Sequence, residues 1–154
     1  MITEFRNLNE SEINLMLNVP ALVTLLIAGA EGKIDDKETD WGAKVAHFRA
    51  EDKNSLLQNY YKEVDNIFVD SLKEYISVLP EDVTERTEKI NSELAKVNDI
   101  MPKLDKNFAA EFYKGILGLS KQVAKADGGI WGYGSVSPEE QKLIDLDVIN
   151  PPEA

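Results

Sequence analysis

The chain contains no cysteine and only one histidine, His47, among its 154 residues. The absence of cysteine excludes disulfide bonds, thiol catalysis and thiolate metal sites, and one histidine cannot form a multi-histidine zinc centre. Basic residues are also few, since 17 Lys and Arg stand against 28 Asp and Glu and give a net charge of −11. Nucleic-acid binding depends on clustered Lys and Arg, so we expect no nucleic-acid partner. Any chemistry must use carboxylates, hydroxyls and backbone groups.

Long hydrophobic runs are limited to one stretch without charge, residues 13–30. A spanning helix needs about 20 apolar residues, and this stretch contains Asn14, Asn18 and Pro20, so we expect no transmembrane segment. Because proline favours the first turn of a helix, the sequence predicts two helices here. The second runs from Pro20 to about Ala30 and is apolar on every side, which is typical of a buried helix. The N-terminal residues lack the basic stretch of a signal peptide, so the cytoplasm is the expected location.

The remaining chain has helical periodicity almost throughout. Trp41, Val45 and Phe48 recur on one face of a helix, and a longer apolar stripe predicts a helix that ends before Pro80. No run of residues has the alternation of a strand. The Tyr60-Tyr61 pair falls on a core-facing stripe, and so does the pair Phe108 and Phe112.

Proline residues also place the later boundaries. Pro102 lies inside a heptad pattern and predicts a break between two helices, the second of which runs from about Leu104 to Ala126. A short last helix follows Pro138, and the charged run from Glu81 to Glu93 is predicted to be a solvated helix face. The sequence therefore predicts one all-α domain, residues 1–150, with seven or eight helices and a polar tail, residues 151–154.

One short acidic pattern occurs twice. Residues 30–34 match 126–130 and residues 34–38 match 136–140, with five extra residues, 131–135, in the second copy. Each copy lies between two predicted helices, so the unit is helix, acidic turn, helix. Its repetition indicates an internal duplication.

Helix capping explains much of this pattern. Asp35 with Glu38, and Ser137 with Glu140, have the spacing of capping boxes, and Pro138 suits the first position of a helix. The glycine in each turn supplies a left-handed residue where a helix ends. On this interpretation the acidic residues are solvated capping charges.

The acids that precede the two glycines, Glu31 and Asp127, are not explained by capping. A carboxylate near a helix C-terminus meets the unfavourable end of the helix dipole. The alternative interpretation is a site for a hard cation, calcium, magnesium or manganese, with oxygen ligands only. Its candidate ligands are Glu31, Asp35, Asp36 and Glu38 in the first turn, and Asp127, Glu139 and Glu140 in the second. No organic cofactor is expected.

The five inserted residues belong to a glycine-rich segment that carries Ile130, Trp131 and Tyr133. The segment lacks the Lys-Ser/Thr of a P-loop, and no strand precedes it, so it is not a nucleotide-binding motif. The three apolar side chains either pack on the bundle or form an exposed contact patch. The second interpretation predicts a protein-interaction or oligomerisation module that needs no metal and contacts a protein partner or a second copy of the chain. Because the chain offers no activated nucleophile or cofactor motif, we expect no enzymatic activity.

At its two acidic turns the sequence resembles the TerB-like family associated with bacterial tellurite resistance. The resemblance rests on residues 30–38 and their second copy, and it extends over about residues 20–146. It implies a compact all-α fold of two similar halves and a cytoplasmic stress-response protein that binds a divalent metal and partners a membrane complex. Carried over by position, the implied metal ligands are Glu31, Asp35 and Glu38 in the first turn, and Asp127 and Glu140 in the second. This sequence departs from the family at Glu31, where Asp is usual, and in the insertion 131–135.

Overall fold

The computed structural model describes residues 2–126 and 138–152, apart from the side chain of Glu139. This part of the chain contains no strand, which confirms the all-α class. Its α-helices are α1 (Glu10–Ala28), α2 (Asp36–Glu51), α3 (Gln58–Val78), α4 (Val83–Ala95), α5 (Val97–Ile100), α6 (Lys106–Lys125) and α7 (Pro138–Ile144), and its 3-10 turns are Thr3–Phe5 and Met101–Lys103. Six of these α-helices have seven residues or more and α5 has only four, so the described residues do not confirm the predicted seven or eight.

Helix α1 lies at the centre of the bundle, in contact with α2, α3, α4 and α6. Every residue from Asn18 to Ala28 is buried, as expected of a helix that is apolar on every side. The prediction of two helices was wrong, however, because Pro20 lies inside one continuous helix. Proline cannot donate a hydrogen bond to the carbonyl four residues earlier, here that of Met16. The Tyr60 hydroxyl of α3 donates to this carbonyl instead, at 2.5 Å.

Among the described residues, α1 is the one helix long and apolar enough to cross a membrane by length and composition. In its most apolar window, 67% of the residues are buried inside the fold. The central helix of a bundle meets the same two criteria. The absence of a transmembrane segment therefore stays a prediction.

The aromatic core lies where α3 and α6 face α1. Tyr60, Tyr61, Phe108 and Phe112 are all buried, which confirms the two predicted core pairs. The ring of Tyr60 meets those of Tyr61, Phe108 and Phe112 edge to face, with centroids 5.0 to 6.0 Å apart. This geometry is the favoured one for aromatic pairs and orders the core beyond simple burial.

Helix α2 packs on α1 through small residues and turns its largest side chains outward. A Cβ atom on Gly42 would lie 2.6 Å from the Thr24 Oγ1 atom of α1, so only glycine permits this close approach. Val45 is buried, whereas Trp41 is 37% exposed and Phe48 is 62% exposed. The predicted amphipathic helix is present, but its aromatic residues do not belong to the buried face.

Candidate cation site at the acidic turns

The first acidic turn connects α1 to α2 and is closed by backbone and cap hydrogen bonds. Gly32 has the predicted positive φ, 125°, but it does not end the helix, because α1 ends at Ala28 with Gly29 as its C-cap. The Asp35 carboxylate accepts a hydrogen bond from the Glu38 backbone N–H at 3.0 Å, which confirms the predicted cap. In a full capping box the Asp35 backbone N–H would donate to the Glu38 side chain. Here this N–H donates to the Ala28 carbonyl at 3.0 Å.

A buried arginine from α4 reaches into this turn. The Arg86 Nη2 atom donates to the Gly29 carbonyl at 2.7 Å and also to the Gly32 carbonyl, and Nη1 donates to the Glu81 carbonyl at 3.1 Å. Arg86 is only 5% exposed. The prediction of a solvated face over the charged run was therefore wrong at this residue.

The spacing of Arg86 from the apolar residues of α4 could have predicted its burial from the sequence. Arg86, Ile90 and Leu94 are spaced four residues apart, and all three are buried on one face of α4. An arginine on an apolar stripe needs acceptors within the protein, because a buried charge without partners is very costly. Here those acceptors are the carbonyls of Gly29 at the end of α1, Gly32 in the first acidic turn and Glu81 before α4.

Arg86 changes the electrostatics expected for the turn. Its positive charge lies at the C-terminal end of α1, where the helix dipole favours a cation. The pKa of the Glu31 carboxyl is nevertheless raised, so this charge does not remove the local cost predicted for the Glu31 carboxylate. Because the guanidinium already uses the Gly29 and Gly32 carbonyls, a metal ion at this turn would be bound by carboxylates.

One carboxyl pair joins the first turn to α7. Partial desolvation raises the pKa of the Glu31 carboxyl above its usual value, and a hydrogen bond and repulsion from the Glu140 carboxyl raise this pKa further. The two residues are 109 positions apart in sequence, yet their carboxyl groups are neighbours in the fold. Two of the five implied ligands, one from each copy of the pattern, are therefore together.

The other predicted ligands have different surroundings. Asp35 caps α2, Asp36 is exposed in its first turn, and Glu38 is only 5% exposed. Asp127 lies outside the described residues, and so does the side chain of Glu139. Within residues 2–126 and 138–152, no three Asp, Glu or His side chains are grouped as a metal site would require.

The predicted contact residues Ile130, Trp131 and Tyr133 also lie outside the described residues, as does most of the second acidic turn. The internal duplication consequently stays a prediction. Pro138 is the first residue of α7, in agreement with the short helix predicted to follow it.

The single histidine lies on the surface between two carboxylates. His47 Nδ1 is 2.9 Å from the Asp65 carboxylate of α3, and Nε2 is 3.0 Å from that of Glu51. The hydrogen bond and charge of Asp65, followed by the charge of Glu51, raise the pKa of the imidazole. The ring therefore links α2 to α3.

Comparison with known proteins adds no relative to these observations. No protein-family model, curated protein or solved structure matches the chain. The TerB-like resemblance thus stays a prediction that rests on the two acidic turns, and the geometry of those turns is the basis for assigning a function.

Proposed function

We propose that this protein binds a divalent cation between its first acidic turn and α7, and that it acts as a non-enzymatic cytoplasmic stress-response protein of the TerB-like kind. The observation that carries the proposal is the Glu31–Glu140 carboxyl pair. It joins one acid from each copy of the repeated pattern. Capping supplies no reason for these two groups to meet.

The chemistry of the pair favours a hard cation. Two neighbouring carboxylates repel each other and hold a proton more tightly than an isolated one. A calcium, magnesium or manganese ion between them would replace that proton and remove the repulsion. Oxygen ligands are the ones that these three ions prefer. Asp127, two positions after the last residue of α6, is a further predicted ligand.

The test is thermal unfolding of chelator-treated protein with each ion in turn. A ligand that binds only the folded state stabilises it by RT ln(1 + [L]/Kd), or about 2.7 kcal/mol at a hundredfold excess over Kd. We expect one of the three ions to raise the melting temperature at neutral pH. The double variant Glu31→Gln/Glu140→Gln should lose this increase.

A matched control distinguishes a site from general charge screening. The double variant Glu88→Gln/Glu111→Gln removes two exposed carboxylates elsewhere and has the same net charge as the site variant. It should retain the full response to the ion. If millimolar calcium, magnesium and manganese leave the melting curve of the parent protein unchanged, the cation site is wrong.

A further inference from the structure

The solvent side of α2 carries a ridge with the spacing of a coiled-coil seam. Its members are separated by four and three residues in alternation and are all exposed: Lys37, Trp41, Lys44, Phe48 and Glu51. Its two aromatic residues, Trp41 and Phe48, are 37% and 62% exposed. Residues at this spacing lie along the line where one helix packs on another, and here two aromatic residues alternate with three charged ones. We call this set the α2 ridge.

We propose that the α2 ridge is the contact surface between two copies of this chain, with the two α2 helices antiparallel across a twofold axis. Charge complementarity points to a second copy as the occupant. Lys37 and Glu51 lie at opposite ends of the ridge, about 21 Å apart at 1.5 Å per residue. An antiparallel pair places each Lys37 beside Glu51 of the second copy, twice by symmetry, where it joins the pair that Glu51 makes with His47 of its own chain at 3.0 Å.

The two aromatic residues of the α2 ridge also face each other in the antiparallel pair. In the register that joins Lys37 to Glu51 of the second copy, Trp41 of one copy lies beside Phe48 of the other. The apolar surface that each chain exposes at these rings is then covered by the pairing. A parallel arrangement would instead place lysine against lysine and glutamate against glutamate, so the charges select the antiparallel one.

Lys44 lies nearest to the proposed twofold axis, where two like charges would meet. Its Nζ atom is 5.6 Å from the centroid of the Trp41 ring in its own chain. A cation over an aromatic face is attracted to that face. Because the two helices run in opposite directions, their Lys44 ammonium groups lean to opposite sides of the axis.

The size of the ridge sets the expected strength of association. Helix α2 has 16 residues, a length of about 24 Å, so one helix pair lies at the small end of specific interfaces. The dimer should therefore be weak and depend on concentration. Sedimentation velocity of the full chain from micromolar to millimolar concentration, in cation-free buffer with physiological salt, should show a reversible monomer–dimer equilibrium.

Charge exchange tests the register directly. Lys37→Glu alone, or Glu51→Lys alone, creates two like-charge contacts by symmetry and should raise the dimer Kd by about tenfold or more. An equimolar mixture of the two single variants should recover association as a heterodimer, and the double variant Lys37→Glu/Glu51→Lys should recover the homodimer. Lys89→Glu and Glu111→Lys, at exposed sites on α4 and α6, are the matched controls and should leave Kd unchanged.

Three outcomes would overturn the proposal. The first is a parent chain that stays monomeric over the whole concentration range. The second is single variants that associate as the parent does, and the third is a mixture that fails to recover the dimer. Should a charge variant fold poorly by circular dichroism, Phe48→Ser provides the same test, since loss of the exposed ring should also abolish the dimer.

Discussion

Pro20 inside α1 allows a prediction about the stability that Tyr60 contributes. Tyr60 lies 44 positions after Met16, whose carbonyl loses its helical donor at the proline. Pro20 has no N–H, so the Met16 carbonyl loses its normal helical donor. The Tyr60 hydroxyl donates to that carbonyl at 2.5 Å, and Tyr60 and Met16 are both almost completely buried. Burial also raises the pKa of the Tyr60 phenol well above its usual value, so its hydroxyl keeps its proton as a donor.

We expect Tyr60→Phe to destabilise the protein by about 1–3 kcal/mol, the cost of a buried polar group without a partner. The ring itself should stay in place, because Phe5, Tyr61, Phe108 and Phe112 surround it edge to face. In Pro20→Ala, the residue at position 20 regains an N–H that can donate to the Met16 carbonyl. The same Tyr60→Phe change should therefore cost much less in this background.

The assay is urea unfolding of the four members of this double-mutant cycle, followed by circular dichroism. A loss of 2 kcal/mol moves the midpoint by about 1 M urea if the m-value is about 2 kcal/mol/M. The coupling between the two positions should be about 0.5–3 kcal/mol, the range of residues that share a partner.

Tyr61 provides the control for this cycle. Its hydroxyl accepts a hydrogen bond from Arg49 at 2.7 Å and is equally buried. Tyr61→Phe should therefore lose the same stability in both backgrounds. If Tyr60→Phe is also additive with Pro20→Ala, the Tyr60 hydroxyl does not replace the missing helical donor.

Two further predictions concern the first acidic turn. Arg86→Met keeps an apolar stem but removes the donor to the Gly32 carbonyl and one of the two donors to the Gly29 carbonyl, which also accepts from the Gly32 N–H. Urea unfolding should therefore show a loss of about 1–3 kcal/mol, and an unchanged midpoint would contradict this. The raised pKa of Glu31 means that the folded state binds a proton more tightly than the unfolded state. This proton contributes stability below the unfolded-state pKa and is lost as pH rises through the raised value. In cation-free buffer, Glu140→Gln should thus be more stable than the parent at pH 7, by less than about 1 kcal/mol because the pair is exposed. Thermal melts of the two proteins should show no difference below the ordinary glutamate pKa of 4.5.

Local signals in the sequence predicted the elements that depend on neighbouring residues. Helix α3 ends before Pro80, because a proline ring restricts the residue before it to extended backbone, as seen at Leu79. At Pro102 the predicted break is also present, but the chain continues through the proline as a 3-10 turn and becomes extended only at Leu104. The Asp35 cap was also predictable from nearby residues, because an N-cap carboxylate accepts a hydrogen bond from an amide only three positions away. Periodicity likewise identified the buried aromatic pairs of α3 and α6.

The sequence alone determined that the chain is α-helical, because periodicity, caps and proline positions act over a few residues and need no knowledge of the fold. Only the tertiary structure decided that α1 continues through Pro20, because the replacement donor, Tyr60, comes from another helix. It also decided that Arg86 closes the first turn and that Glu31 meets Glu140. Each of these contacts joins residues more than 40 positions apart. Spacing along the chain carries no information about such pairs until the bundle brings their helices together.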